Sequence, residues 1–169
     1  MMAYVDTNVI LGGYCRGDPL SSKALSFLKE EERRKLASPI SLVELAAVLS
    51  RIDYALDAPE ELLQETPKRR IRALVDYMIK QSGLRIVSVP AKIKLRLGGA
   101  TISVPIEYHS CIRFAHALKL KTLDILHLTY ADNLAKWGYD VDVFATFDQE
   151  ILGKKDQIHQ LFSFEVTEP

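Results

Sequence analysis

Short apolar runs alternate along the chain with segments whose apolar residues have helical spacing. Met2–Val5 and Val141–Ala145 are mostly apolar and predict buried strands, and each is followed within three residues by an aspartate. Residues 9–11 continue the apolar character up to the glycine pair at 12–13, which predicts a break there. Strands that alternate with helices favour a mainly parallel sheet with helices on both faces.

Five longer helices are predicted from the periodicity, at about residues 19–29, 41–52, 67–81, 107–118 and 123–137. Asp18-Pro19 supplies an N-cap and a first helical residue, and Gly83 is placed to end the third helix. The second helix opens with a capping-box pattern, Ser41 and Glu44, and carries the apolar residues Leu45, Val48, Leu49 and Ile52.

Further strands are predicted at residues 36–40, 84–89 and 162–166. Between residues 92 and 104 apolar and basic residues alternate around Gly98-Gly99, which predicts a β-hairpin ended by Pro105. The middle of the chain, about residues 56–105, thus contains a helix and a hairpin that we interpret as an insertion into a single domain spanning residues 1–169.

Composition and length exclude several classes of protein. The chain has 169 residues, of which 48% are hydrophobic and 26% are charged, as expected for one globular domain and not for a disordered protein. No apolar run reaches the roughly 20 residues that span a bilayer, and the start lacks a secretory pattern, so we expect a cytoplasmic protein without membrane partners. Cys15 and Cys111 are too few and too far apart for a disulfide framework or a thiolate zinc site.

Charge is unevenly distributed although the formal net charge is zero. Nine basic residues and one acidic residue fall between positions 66 and 100, so the rest of the chain is acidic. A basic segment suits contact with a polyanion, although a solvated basic helix face explains it equally well. The residues proposed to make this contact are Lys68, Arg69, Arg70, Arg72, Lys92, Lys94 and Arg96.

Four acidic residues stand at the ends of predicted elements: Asp6, Glu44, Asp124 and Asp148. Ligand crevices of parallel sheets lie beyond the carboxyl ends of the strands, where the N-termini of the following helices also point, so the four side chains are expected to converge. Taken singly, each also fits a local role, because Glu44 and Asp124 suit helix starts and Asp6 and Asp148 suit turns. Gathered carboxylates repel unless a cation neutralises them, and an all-oxygen set favours Mg²⁺ or Mn²⁺.

Four segments resemble the PIN-domain ribonucleases, and in particular the VapC-type toxins of prokaryotic toxin-antitoxin pairs. They are YVDTNVIL, SLVELAAVL, LKTLDILHLTYA and VFATFDQEI, in this order along nearly the whole chain. The resemblance implies a PIN-like three-layer α/β/α fold with a mainly parallel sheet of four to five strands. It also implies that Asp6, Glu44, Asp124 and Asp148 are catalytic and bind Mg²⁺ or Mn²⁺, supported by Thr7, Asn8 and Thr146.

The activity implied is endonucleolytic cleavage of RNA by a metal-activated water. The resemblance further implies a homodimer and a small antitoxin protein, whose tail would place an Arg or Lys among the carboxylates. His127 departs from the small residues usual at its position, and we interpret it as a helix residue rather than a phosphate contact.

Three other functions share part of this pattern. A PIN-type nuclease of RNA maturation or quality control would use the same chemistry without an antitoxin. A non-catalytic RNA-binding module would keep the four acids only as caps. A haloacid-dehalogenase phosphatase needs Asp-x-Asp and is discounted, since Asn8 stands at the second position after Asp6.

Overall fold

A central sheet of five strands organises the protein, which is described here by a computed structural model of residues 1–51 and 56–169. The strands, in chain order, are β1 Met2–Val5, β2 Arg34–Ala37, β3 Leu84–Ile86, β4 Lys92–Leu97, β5 Ala100–Pro105, β6 Val141–Ala145 and β7 Glu165–Thr167. The helices are α1 Thr7–Tyr14, α2 Ser21–Lys29, α3 Pro39–Leu49, α4 Glu60–Leu63, α5 Pro67–Gln81, α6 Ile106–Leu118, α7 Thr122–Lys136, α8 Gln149–Leu152 and α9 Lys155–Leu161.

The sheet has the order β3-β2-β1-β6-β7, and every described pair of neighbours is parallel. From β1 the chain first builds outward to β2 and β3, and then returns to place β6 on the other side of β1. The order of the strands therefore reverses between β1 and β6, the point where parallel sheets open a crevice at their carboxyl ends.

Two buried cores lie on the two faces of the sheet, because alternate strand residues point to opposite sides. Ala3 and Val5 contact helices α1, α2, α3 and α5, whereas Tyr4 and Phe144 lie in the core formed with α7 and α9. This is the predicted three-layer α/β/α fold, and the sheet reaches the upper end of the expected four to five strands.

The middle segment divides into two parts. Helix α5 and strand β3 belong to the three layers, since β3 pairs with β2. Strands β4 and β5 form a separate two-stranded antiparallel sheet with the predicted turn at Gly98-Gly99, where both glycines have positive φ. No helix of the described residues is long and apolar enough to cross a membrane.

The predicted break at Gly12-Gly13 is wrong. Helix α1 begins directly after Asp6 and runs through both glycines to Tyr14. The glycines mark a close approach of helices instead, because a Cβ on Gly13 would lie 2.8 Å from Cδ1 of Leu28 in α2. Helix α2 itself begins at Ser21, and Oδ1 of Asp18 caps the preceding turn by accepting a 2.8 Å hydrogen bond from the Leu20 amide.

The capping box predicted for the second helix is also wrong. Helix α3 begins at Pro39, with Ser38 as N-cap, so Ser41 lies inside the helix and its hydroxyl has no partner among the described residues. Ile52, the last predicted apolar residue of this helix, lies outside the described residues. The strands predicted at 36–40, 84–89 and 162–166 are present as the shorter β2, β3 and β7.

Candidate functional site

The four acidic residues come from four different elements that meet at one edge of the sheet. Asp6 follows β1 directly, and Asp148 follows the neighbouring β6 by three residues. Asp124 lies in the first turn of α7, and Glu44 lies in α3, which follows the end of β2. Since β1, β2 and β6 are parallel, their carboxyl ends share the edge at which the strand order reverses.

Asp6 is buried and held by a network that joins the ends of β1 and β6. Its Oδ1 accepts a 2.7 Å bond from the Thr7 amide, and its Oδ2 accepts bonds from Asn8 Nδ2 at 2.9 Å and Thr146 Oγ1 at 2.7 Å. Asn8 also accepts a bond from the Phe147 amide through Oδ1 at 3.1 Å. The three predicted supporting residues thus all lie in the site, and Asn8 and Thr146 fix the carboxylate directly.

Asp148 is both a site residue and a helix cap. Its Oδ1 accepts hydrogen bonds from the amides of Glu150 at 2.8 Å and Ile151 at 3.1 Å, while its own amide donates to Thr146 Oγ1 at 3.0 Å. The local role considered from sequence is therefore real, and it leaves Oδ2 without a bond from the described residues.

Asp124 carries the clearest sign of excess negative charge. Its Oδ2 is buried and has no hydrogen-bond partner in the described part of the chain. Burial, together with the negative charges of Asp148 and Asp6, raises the pKa of Asp124 to about 6. Buried polar atoms normally have partners, so an unpartnered carboxylate oxygen among other acids indicates a place for a cation or a proton.

Glu44 is bound through one oxygen by two side chains. Thr7 Oγ1 donates to Glu44 Oε2 at 2.6 Å, and Nε2 of His127 lies 2.5 Å from the same oxygen. The other ring nitrogen, Nδ1, lies 2.7 Å from the hydroxyl of Tyr4. Sequence reasoning gave His127 and Tyr4 no part in the site, because each partner is distant in the chain and no local pattern links them.

The electrostatics of the site are those of carboxylates around one imidazole. Burial alone would lower the pKa of His127, but the hydrogen bond to Glu44 and the charges of Asp6, Glu44 and Asp124 raise it above its usual value. Burial would raise the pKa of Glu44, yet the contact with His127 and the bond from Thr7 lower it. For Asp6 burial prevails over the opposing effects of His127, Thr146 and Thr7, and raises the pKa.

The arrangement offers oxygen donors that suit a hard divalent cation. The negative charges of Asp148 and Asp6 act on Asp124, which also has an oxygen that no donor of the described chain satisfies. No three Asp, Glu, His or Cys side chains within residues 1–51 and 56–169 already form a close group of the kind that holds a metal ion. The chemistry of the donors therefore fits Mg²⁺ or Mn²⁺, while the closely packed arrangement of a bound ion is not present.

The basic residues lie outside this acidic cluster, in two places. Helix α5 leads through Gly83 into β3, so its first turns, with Lys68, Arg69, Arg70 and Arg72, lie toward the edge where the strands end. Lys92, Lys94 and Arg96 are exposed along one face of β4. Helix α6 starts at the hairpin and ends beside the start of α7. The base of the hairpin is therefore separated from the start of α7 by the length of α6, about 18 Å.

Comparison with known protein families matches residues 3–155 to the PIN domain. Among solved structures, the chain is similar to one described as the crystal structure of VapBC2 from Rickettsia felis bound to a DNA fragment from their promoter. The TM-score is 0.52 at 12% identity, over 99% of this chain and 98% of that chain, so the likeness is one of fold. No curated protein matches the sequence.

Proposed function

Because the chain belongs to the PIN domain family, whose members are generally nucleases, we propose that it is a Mg²⁺- or Mn²⁺-dependent endoribonuclease and the toxin of a toxin-antitoxin pair. One observation carries the proposal. Asp6, Glu44, Asp124 and Asp148, which are far apart in the sequence, come from four elements to the point where the strand order of the sheet reverses.

Asp6, Asp124 and Asp148 would hold the cation, and Glu44 would contribute its second oxygen. The buried oxygen of Asp124 that has no partner among the described residues is the natural ligand, because a cation would satisfy it and offset the burial and the repulsion that raise the pKa of this carboxyl.

When held there, a divalent cation would supply Lewis-acid chemistry to a water molecule and to the phosphate that is to be cleaved. The chain's own residues supply the geometry. Asn8 and Thr146 hold Asp6 in one orientation, and the start of α8 holds Asp148. Thr7 and His127 hold Glu44, so three of the four carboxylates, all but that of Asp124, are held by donors of the described chain.

The basic residues would bind the RNA backbone without reading its bases. The first turns of α5 lie toward the acidic edge and would hold phosphates near the cleaved bond, whereas Lys92, Lys94 and Arg96 would contact RNA farther away. No ion pair joins these seven residues to a carboxylate within the described chain, so their charges are available to a polyanion.

The toxin assignment is supported by the fold shared with the Rickettsia felis structure, whose description names a VapBC2 assembly. We further propose, from the resemblance of the sequence motifs to VapC-type toxins, that this chain binds a small antitoxin protein, acts in the cytoplasm and forms a homodimer. Co-expression with the product of a neighbouring short gene, followed by co-purification, tests the antitoxin. A nuclease of RNA maturation would purify without such a partner and would not arrest growth when expressed alone.

The activity is tested by incubating purified protein with defined single-stranded and hairpin RNAs, with Mg²⁺, with Mn²⁺ or with EDTA. We expect cleavage only with a cation, and we expect Asp6→Asn to abolish it. Asp140→Asn is the matched control, because Asp140 is exposed at the start of β6, at the opposite edge of the sheet. Cleavage in EDTA, or equal rates for Asp6→Asn and the parent, would contradict the proposal.

A further inference from the structure

A chain of hydrogen bonds leads from the core to the acidic edge through the ring of His127. The ring is 2% exposed, and Tyr4 is fully buried. Nδ1 lies 2.7 Å from the Tyr4 hydroxyl, and Nε2 lies 2.5 Å from Oε2 of Glu44. Both ring nitrogens therefore have a partner, and the orientation of the imidazole is fixed at two points.

The chemistry of the partners determines which nitrogen donates. A carboxylate can only accept, so the proton of the short contact belongs to Nε2 of His127. In the neutral ring Nδ1 is then the acceptor, and the hydroxyl of Tyr4 donates to it. Nε2 donates to Glu44 whether or not the ring carries a second proton, so the direction of this bond is the same in both states of the ring.

The bond has a consequence for Glu44. Thr7 Oγ1 and His127 Nε2 both donate to Oε2, so this oxygen has two partners, and Oε1 accepts nothing from the described residues. Glu44 is about one-fifth exposed. The carboxylate thus offers one oxygen to a ligand and is held by the other.

The position of His127 distinguishes it from an ordinary core residue. Asp124 precedes it by three residues in α7, which places both side chains on the same face of the helix. The charges of Asp6, Glu44 and Asp124 all act on the ring. A purely structural residue at this place needs only to fill volume, and an apolar side chain would do so without the cost of burying polar atoms.

We propose that His127 is a positioning residue of the nuclease site. Its Nε2 holds Glu44 so that Oε1 is presented to the cation and the RNA at the acidic cluster, and Tyr4 fixes the ring. This inference rests on the proposed function, because it assigns a role within the same site. Residues that orient metal ligands from behind commonly change metal affinity or activity by 10- to 100-fold when replaced.

The main test compares His127→Leu, which has no donor, with His127→Gln, which keeps an N–H donor. We expect His127→Leu to raise the Kd for Mn²⁺ alone, measured by calorimetry, by about 10-fold and to lower kcat for RNA cleavage with KM little changed. His127→Gln should recover most of both. Thr129→Val on the same helix is the control, because within the described residues the Thr129 hydroxyl bonds only to the Leu126 carbonyl, and it should behave as the parent.

A double-variant cycle tests whether His127 acts through Glu44. If it does, Glu44→Gln combined with His127→Leu loses no more activity than Glu44→Gln alone. Losses that add would overturn the positioning role. So would parent-like Mn²⁺ affinity and kcat in a folded His127→Leu variant.

Nitrogen NMR of the imidazole in the metal-free parent gives a second measurement that needs no variant of His127. We expect a protected Nε2 proton that is lost in Glu44→Ala, and a ring protonated only at Nδ1 would overturn the inference. The two proposals can fail separately. A parent that neither binds Mn²⁺ nor cleaves RNA refutes both the proposed function and the positioning role. If the parent is active and replacing His127 changes neither Mn²⁺ affinity nor kcat, only the positioning role is refuted.

Discussion

Thr146 Oγ1 donates a 2.7 Å hydrogen bond to Oδ2 of Asp6, although 140 residues separate the two in the chain. The bond ties together the ends of β1 and β6, the two strands between which the strand order reverses. The same hydroxyl accepts bonds from the Asp148 amide and from Asn8 Nδ2, each at 3.0 Å. One threonine thereby sets the distance between the two aspartates that follow these strands.

Thr146→Val keeps the shape of this side chain and removes its hydrogen bonds. Because a buried carboxylate then loses a donor, we expect a loss of about 1.5–3 kcal/mol in the free energy of unfolding and weaker binding of Mn²⁺. Urea unfolding and calorimetry measure the two effects. Thr129→Val removes a buried hydroxyl whose only hydrogen bond among the described residues goes to the Leu126 carbonyl of its own helix, and it should cost less than half as much. Equal costs would show that the link between β1 and β6 is unimportant.

The raised pKa of Asp124 predicts how the metal-free protein responds to pH. Its pKa is about 6 in the folded state, above the ordinary aspartate value of 3.8, so the folded state binds the proton more tightly than the unfolded state does. Stability is then greatest below pH 4 with respect to this group and falls as pH rises from 4 to 6. Since the side chain is partly exposed, solvent screening limits the expected loss to about 1–2 kcal/mol.

Asp124→Asn should remove this part of the pH dependence. In EDTA the variant is expected to be more stable than the parent at pH 7 and equal to it near pH 4, as measured by urea unfolding at a series of pH values. Asp140→Asn serves as the control. If the free energy of unfolding changes by the same amount between pH 4 and 6 in the parent and in Asp124→Asn, Asp124 is not destabilised by its neighbours.

The sequence predicts the strands that carry the site better than the contacts within it. The apolar runs of β1 and β6 and the acids after them are local features, and parallel topology alone brings Asp6 and Asp148 to one edge. The contact between His127 and Glu44 joins residues 83 positions apart, so no window of sequence could contain it. It depends on how α3 and α7 pack on opposite sides of the same strand ends.

Two errors of interpretation have a common cause, which is that a local pattern was compatible with two structures. Ser41 and Glu44 match a capping box, but Ser38-Pro39 is also a helix start, and the chain uses the earlier one. Gly12-Gly13 matches a turn, but glycines also permit helices to approach closely. In both cases packing against the rest of the protein decides between the alternatives.

The glycine pair provides a prediction about stability. A Cβ at position 12 would lie 3.7 Å from Ala24 Cβ, an ordinary contact, whereas one at position 13 would lie 2.8 Å from Leu28 Cδ1. Alanine is favoured over glycine inside a helix by about 1 kcal/mol. We therefore expect Gly12→Ala to leave the free energy of unfolding unchanged or to raise it. Gly13→Ala should have a free energy of unfolding about 1–2 kcal/mol lower than that of Gly12→Ala, because Leu28 is buried and must move. Equal unfolding midpoints would contradict the close packing of α1 on α2.

The hairpin of β4 and β5 leads to a prediction about RNA binding. Lys92, Lys94 and Arg96 alternate along β4 opposite Pro105, Ser103 and Thr101, with no acidic residue between positions 91 and 105. Three contacts to the backbone of single-stranded RNA would contribute about 2 to the slope of log K against log salt. Replacing all three by Gln should therefore flatten that slope by about 2 and weaken binding equally for RNAs of different sequence, as measured by fluorescence anisotropy from 50 to 200 mM salt.

Replacing Lys29, Arg34 and Lys155, which are exposed elsewhere, removes the same charge and should leave the slope nearly unchanged. If both triple variants flatten the slope equally, the effect is one of overall charge and the hairpin does not contact RNA.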